Sequence, residues 1–371
     1  MNYLHKKTGS KNGISGLGKR MDTKIIKIDN DHIDSTKLKE AVDILKNGGL
    51  VAFPTETVYG LGADGLNKDA SMKIYAAKGR PSDNPLILHI SSMKALDDLT
   101  KGDSSLGRKL AQAFWPGPLT LIFNKSEKVP LTTTGGLDTV AVRMPSHPIA
   151  YELIRQSGVY VAAPSANTSG RPSPTTAGHV IEDMDGRIDM IIDGGKADIG
   201  LESTIVDVTG EIPVILRPGF ITLEDIERVT GEAEYDRSLF QKPSTENFKP
   251  KAPGMKYRHY APKGQLTIYE GESRNVIQAI NKEAAKKQSE GFKVGIIATD
   301  ETLSSYENGI IKTIGTRKDE KTIASGLFRL LREFDTEQAD YIYSESFYDN
   351  PLGQAIMNRL LKAAGYHIEK I

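Results

Sequence analysis

The stretch "DMIIDGGKADIGLESTIVDVTGEIPVILRPG", residues 189–219, decides the fold class of this chain. It holds three short apolar runs, "DMIIDGG", "STIVDV" and "PVILRPG", each bounded by Gly or Pro. No helix-length periodic segment separates them. Parallel strands need a crossover connection, usually a helix, so strands that follow one another this closely argue for a mixed sheet rather than a doubly wound one.

Working outward, strands and helices alternate from Thr23 onward. "TKIIKI" (23–28) reads as a strand. "STKLKEAVDILKNGG" (35–49) reads as a helix, with Leu38, Ala41, Val42 and Leu45 on one face and glycines as its stop. "LVAF" (50–53) is a buried strand. "DASMKIYAAKG" (69–79) is a helix with Met72, Tyr75 and Ala76 on its apolar side. "PLILHI" (85–90) is a strand and "SSLGRKLAQAFW" (104–115) a helix; "LTLIF", "TVAVRM" and "VYVAA" are further strands.

After Gly231 the texture changes. Residues 232–263 scatter Pro, Lys and Ser without sustained periodicity and read as a linker, a length that is usually functional or disordered. Its "KYRHY" cluster suggests a lid that excludes water. Regularity returns with "QLTIYEG", "RNVIQAINKEAAKK", "KVGIIAT", "IIKTIG", "TIASGLFRLLREF", "DYIYSE" and "GQAIMNRLLKAAG", a smaller Rossmann-like βαβ domain over 264–371. The expected organisation is therefore an extension (1–22), an α/β domain (23–231), a linker and a second α/β domain.

Bulk composition narrows the function. The 371 residues are 38% hydrophobic and 26% charged, which suits globular cores. Forty-eight basic residues balance 48 acidic ones, so net charge gives no reason to bind nucleic acid or an anionic membrane. No apolar run reaches the roughly 18 residues of a membrane span. With no cysteine, disulfides, thiol nucleophiles and zinc-thiolate sites are excluded, and a cytoplasmic location is expected. The basic N-terminus lacks the apolar core of a secretory signal.

Two glycine patterns imitate nucleotide motifs. "GISGLGKR" (13–20) has phosphate-loop spacing, but Arg20 stands where Ser or Thr belongs and no strand precedes it. "GLGADG" (60–65) follows a strand, yet its helix starts only near Asp69, too late to meet a pyrophosphate, so it reads as a tight turn. The seven histidines show no metal-ligand spacing, and no protein-bound metal is expected.

Four segments at strand ends carry the chemistry: "PTETVYG" (54–60), "KGRPSDNPL" (78–86), "VRMPSHP" (142–148) and "APSANTSGRPSP" (163–174). Loops at strand ends are where α/β sheets bind ligands. Lys78, Arg80 and Arg143 supply positive charge, and Thr57, Ser165, Asn167 and Ser173 supply neutral hydrogen bonds. Each has an ordinary alternative. Lys78 and Arg80 alone are solvated helix-end cations. His89 is a core histidine, Arg143 a structural ion pair, and Ser165 and Asn167 turn formers. Glu202 and Asp207 fit an ordinary solvated face. Their conjunction in one region points instead to an anionic ligand, such as a nucleoside triphosphate beside an amino-acid carboxylate.

"KGR" at 78–80 with "SAN" at 165–167 resembles the Lys-x-Arg…Ser-x-Asn signature of the YrdC-like family. "PTETVYGLG", "RPSDNPL", "FWPGPLTL", "VRMPSHP", "APSANTSGRPSPT", "ESTIVD…LRPG" and "APGMKYRHYAP" follow in that family's order. The resemblance is to its two-domain form, the threonylcarbamoyl-adenylate synthases, with a twisted mixed YrdC-like sheet. It implies condensation of L-threonine, bicarbonate or carbon dioxide, and ATP carried with Mg2+, to threonylcarbamoyl-AMP and pyrophosphate. Partner proteins would then modify tRNA, whose own binding here would be weak or indirect. The resemblance places Thr57, His89, Arg143 and Ser203 around threonine, with the backbone at Ala163. It places Arg80, Asn84, Thr139, Ser165, Asn167, Ser173, Arg217 and Tyr260 on ATP. Lys78 would face the phosphates, Lys78 and Arg80 being the catalytic pair. A related carbamoyltransferase of hydrogenase maturation carries zinc-finger cysteines that this chain lacks. A non-catalytic RNA-binding module would need an aromatic-basic signature that is not present.

Overall fold

The computed structural model describes residues 21–102, 105–240, 251–253, 259–348 and 351–371. The extension, with its "GISGLGKR", and part of the linker, including most of "KYRHY", lie outside the described residues.

The first sheet comprises β1 (Lys24–Lys27), β2 (Val51–Phe53), β3 (Gly60–Asp64), β4 (Ile87–His89), β5 (Leu119–Asn124), β6 (Thr139–Arg143), β7 (Val161–Ala162), β8 (Met190–Asp193), β9 (Thr204–Asp207), β10 (Val214–Arg217) and β11 (Glu234–Tyr235). Their spatial order is β1-β8-β2-β3-β7-β4-β6-β5-β9-β10-β11, with parallel and antiparallel neighbours mixed as the 189–219 stretch requires. Its first two strands are nonetheless far apart. Six strands lie between β8 and β9, so the connecting segment 194–203 crosses the sheet and carries Glu202 and Ser203 with it.

The second sheet, β12 (Gln265–Glu270), β13 (Val294–Ala298), β14 (Ile310–Thr313), β15 (Tyr341–Glu345) and β16 (Ile368–Lys370), is wholly parallel in the order β14-β13-β15-β12-β16.

Local sequence explains most elements. The helix Ser35–Lys46 is capped by the Asp34 side chain and buries Leu38, Ala41, Val42 and Leu45, the face expected from periodicity. The helix Lys68–Lys78 starts at Asn67, whose side chain accepts from the Asp69 and Ala70 amides, and stops at Gly79 in the left-handed region (φ 60°). Its buried face is Ala70, Ser71, Ile74, Tyr75 and Lys78, so Met72 and Ala76 turn out to be exposed. "GLGAD" is not a tight turn: it forms β3, antiparallel to β2, where Gly62 leaves room for the Phe53 ring. Glu234–Tyr235, inside the stretch expected to be linker, adds an edge strand beside β10. The structure adds the helices Pro148–Ser157, Ala177–Met184 and Leu223–Thr230, and β16, to the expected elements.

The two sheets share apolar contacts. Val58 and Leu201 from the first domain pack into the core of the second with Leu327, Phe328 and Tyr260. Gly200 makes that approach possible: its φ is 78°, and a Cβ there would stand 2.5 Å from the Ser325 Cα. Gly200→Ala is expected to cost about 1–3 kcal/mol from the left-handed backbone alone. Chemical denaturation checks this, and an unchanged midpoint would contradict the packing described.

Candidate functional site

The strand ends meet in one cleft of about 640 Å³, counting the space open to solvent at its mouth. Register brings distant residues together. In the parallel pair β4–β6, His89 stands opposite Arg143, and β7 pairs with β4 on the other side. A bridge between Gly60 and Ser165 draws the 54–60 and 163–174 loops onto the same edge. Thr57, Arg80, His89, Arg143, Ala163, Ser165, Asn167, Ser173, Ser203, Arg217 and Tyr260 all line the cleft.

Three expected site residues do not. Lys78 is 3% exposed, and its ammonium donates to the carbonyls of Ser165 and Asn167, so it braces the "SAN" loop from behind rather than facing the opening. Burial and the neighbouring Arg80 push it well below the ordinary lysine range. Asn84 is buried, and its carbonyl accepts from Arg80 and from the Tyr75 hydroxyl. Thr139 opens β6, paired with Asn124, away from the lining.

Arg143 is 4% exposed, with two of its three nitrogens hydrogen-bonded. Nη1 donates to Thr57 Oγ1 (3.0 Å) and Nε to the Gly117 carbonyl (3.3 Å). Nη2 lies 2.7 Å from Glu56 Oε1, near enough for an ion pair but not aligned as a hydrogen bond. Glu56 went unremarked in the sequence, since a lone carboxylate in "PTETVYG" carries no sign of burial. Burial pushes its carboxyl up, but the Arg143 charge and nearby backbone amides outweigh this and hold it below the usual carboxylate range.

Arg217 donates from Nε to the Ser203 carbonyl (3.0 Å) and from Nη2 to Ser203 Oγ (3.1 Å). Ser203 Oγ in turn meets Thr120 Oγ1 at 2.8 Å. Burial lowers Arg217 to about 10, leaving it a cation at neutral pH. Glu202 is not on a solvated face: it is buried, accepts from Ser173 Oγ (2.6 Å), and is ion-paired with Arg359 (2.9 Å) from the second domain. Arg332, also from that domain, donates to the Pro172 carbonyl (2.7 Å) and to Asp183 (2.8 Å), fixing the 165–174 loop. Among the described residues Lys362 donates to the Asn358 side chain alone (3.2 Å), and burial with the adjacent Arg359 and Arg217 lowers it to about 7.

The linker contributes Pro253, His259 and Tyr260 to the lining. Tyr260 holds a positive φ of 65°, stacks at 5.0 Å on Phe328, and is fixed by the Ala261 amide bonding to Gly170. Burial, then the facing Glu202, pushes its phenol up to about 12.

Among the described residues lining the cleft, Arg80, Arg143, Arg171 and Arg217 thus outnumber the single carboxylate, Glu202, which is already paired with Arg359. Such a place suits a polyanion. Among the described residues no three His, Cys, Asp or Glu side chains converge as a metal-ligand set. No helix among them is long and apolar enough to cross a membrane.

His89, whose Nδ1 lies 3.2 Å from the Ile87 carbonyl, and His259 are held neutral here. Burial first, then Arg143 for His89 and Arg80 for His259, lowers each to about 3. When unfolded they regain a value near 6.5, so between about pH 6.5 and 3 the unfolded chain binds more protons and stability falls as pH drops. Replacing both with Gln is expected to flatten this acid-side loss in urea midpoints measured from pH 7 to pH 4. An unchanged slope would contradict it.

Similar proteins are known. A family model described as "Telomere recombination" matches residues 43–219, and one described as "Threonylcarbamoyl-AMP synthase, C-terminal domain" matches 221–365. The threonylcarbamoyl-AMP synthase of Bacillus subtilis is 49% identical over 330 residues, covering 89% of this chain and 93% of its own. That of Schizosaccharomyces pombe is 38% identical over 365 residues, covering 90% and 89%. The crystal structure of Pyrococcus abyssi Sua5 complexed with L-threonine is 47% identical, with a TM-score of 0.88, and covers 94% of this chain and 100% of that one.

Proposed function

This chain belongs to the threonylcarbamoyl-AMP synthase family and is a nucleotidyltransferase; on that premise we propose that it joins L-threonine, bicarbonate or carbon dioxide, and ATP into threonylcarbamoyl-AMP and pyrophosphate, for threonylcarbamoyladenosine formation in tRNA by downstream transferases. The observation that carries this reading is the meeting of Arg80, Arg143 and Arg217 with neutral histidines and hydroxyls in a single cleft.

The substrates supply the reacting groups. The threonine amine bonds to carbon dioxide and loses a proton, giving a carbamate; starting from bicarbonate, the same bond forms with release of water. A carbamate oxygen then attacks the α-phosphorus of ATP, the bond to the bridging oxygen breaks, and pyrophosphate leaves. The protein's task is to hold two anions in contact and to stabilise charge growing on the phosphates. Arg143, with Thr57, His89, Ser203 and the backbone at Ala163, would take threonine. A two-pronged guanidinium suits a carboxylate, and the misaligned contact with Glu56 leaves Nη2 open to a better one.

Arg80, Arg217, Ser165, Asn167, Ser173 and Tyr260 would take ATP. Lys78, Asn84 and Thr139 would support that wall from behind, Lys78 through its two carbonyl bonds. Magnesium would arrive with the triphosphate as part of the substrate, coordinated by phosphate and water. His259 and Tyr260 line the cleft and would, as a lid, keep water from the reactive adenylate.

Pyrophosphate release that needs threonine, bicarbonate and MgATP together, with labelled bicarbonate appearing in the product by mass spectrometry, tests the reaction. Release without threonine would refute it. Losing one preorganised donor costs ~10²–10³ in turnover, which is the loss expected for Arg80→Ala and for Arg143→Ala in the same assay. Wild-type rates would remove those residues from the site.

A further inference from the structure

We propose that Arg359, on the second-domain helix Gly353–Ala363, is a positioning residue for this site, acting through Glu202 on Ser173 and Tyr260 and through the Pro218 carbonyl on Arg217. The inference rests on the reaction proposed above.

Arg359 is fully buried, and each nitrogen of its fork reaches the first domain, Nη1 also donating to Asn358 Oδ1 on its own helix (3.2 Å). Nε donates to Glu202 Oε2 (2.9 Å), Nη2 to the Glu202 carbonyl (3.2 Å) and Nη1 to the Pro218 carbonyl (2.6 Å). One guanidinium thereby ties together two backbone segments that flank the cleft. Glu202 passes the constraint on: its Oε1 accepts the Ser173 hydroxyl at 2.6 Å, and the Tyr260 phenol faces it. Pro218 follows Arg217 directly, and Ser203, which Arg217 holds, follows Glu202.

Arg332 offers a contrast. It too crosses between the domains, but it ends on a backbone carbonyl and on Glu182 and Asp183, none of which lines the cleft.

Without Arg359 the buried Glu202 carboxylate would lose its ion-pair partner, and Arg217, like Lys362, is a nearby cation able to turn toward it. Turning toward Glu202 would take Arg217 off Ser203. Lysine keeps the charge but offers one nitrogen, which cannot serve the carboxylate and both carbonyls as a planar fork does.

The test compares Arg359→Lys and Glu202→Gln with the wild type. Expected are folded proteins whose kcat falls ~10–10²-fold, the loss that a misplacement of about 1 Å can bring, with a KM for ATP raised more than that for threonine. The double variant should be no worse than the weaker single one, since both changes break one unit. A lower melting temperature with wild-type kcat and ATP KM would mark an interface pair serving stability alone and would overturn the proposal. If Arg359→Lys does not fold, Glu202→Gln decides on the same criteria. Calorimetric ATP affinity is read in parallel, independently of turnover: roughly tenfold weakening, the size of effect expected from misplaced donors, supports the brace, and unchanged affinity overturns it. Failure of the wild type to release pyrophosphate counts against the reaction and leaves this second measurement standing.

Discussion

A guanidinium group leaves water only where the chain supplies acceptors for its planar array of N–H bonds. This structure meets that demand repeatedly, and its cleft is the result. Arg143, Arg217, Arg332 and Arg359 are each at most 5% exposed. Their acceptors include the carbonyls of Gly117, Ser203, Pro172, Pro218 and Glu202, together with three buried acidic side chains. Several of these carbonyls sit in loops rich in Pro and Gly, where strand pairing has ended and a carbonyl is free to turn inward. The sheet therefore does more than carry loops: by stopping where it does, it leaves the acceptors that let positive charge gather in a dry place.

Much of this was legible in the sequence, for reasons that name themselves. The 35–46 helix announced its buried face because its apolar residues repeat at the helical period. The four polar clusters announced the cleft because they fall at strand ends, and eleven expected residues line it. What was illegible depends on partners distant along the chain. Glu202 looked solvated because Arg359, the residue that allows its burial, lies 157 positions away. Glu56 was invisible for the same reason, its partner Arg143 arriving by way of the β4–β6 register. Lys78 reads as a cation bound for phosphate. Only the fold shows that Ser165 and Asn167 turn their carbonyls onto it first.

The second domain is likewise more than an appendage. Its core admits Val58 and Leu201, and the linker's Tyr260 packs on its Phe328 while forming part of the cleft wall. An aromatic ring held in the left-handed backbone region carries strain that persists only where the surroundings over-determine it. Here those surroundings come from both domains at once.

The contact between Glu56 and Arg143 has a consequence for how the cleft trades its contents. With the Glu56 carboxylate resting against it, Arg143 is not a naked charge, so on the reading proposed above a visiting carboxylate would displace a tethered tenant rather than fill a void. Such an exchange yields only the difference between two similar contacts, which favours loose holding and ready departure. A pocket that must empty itself once per cycle gains more from that than from a tight grip.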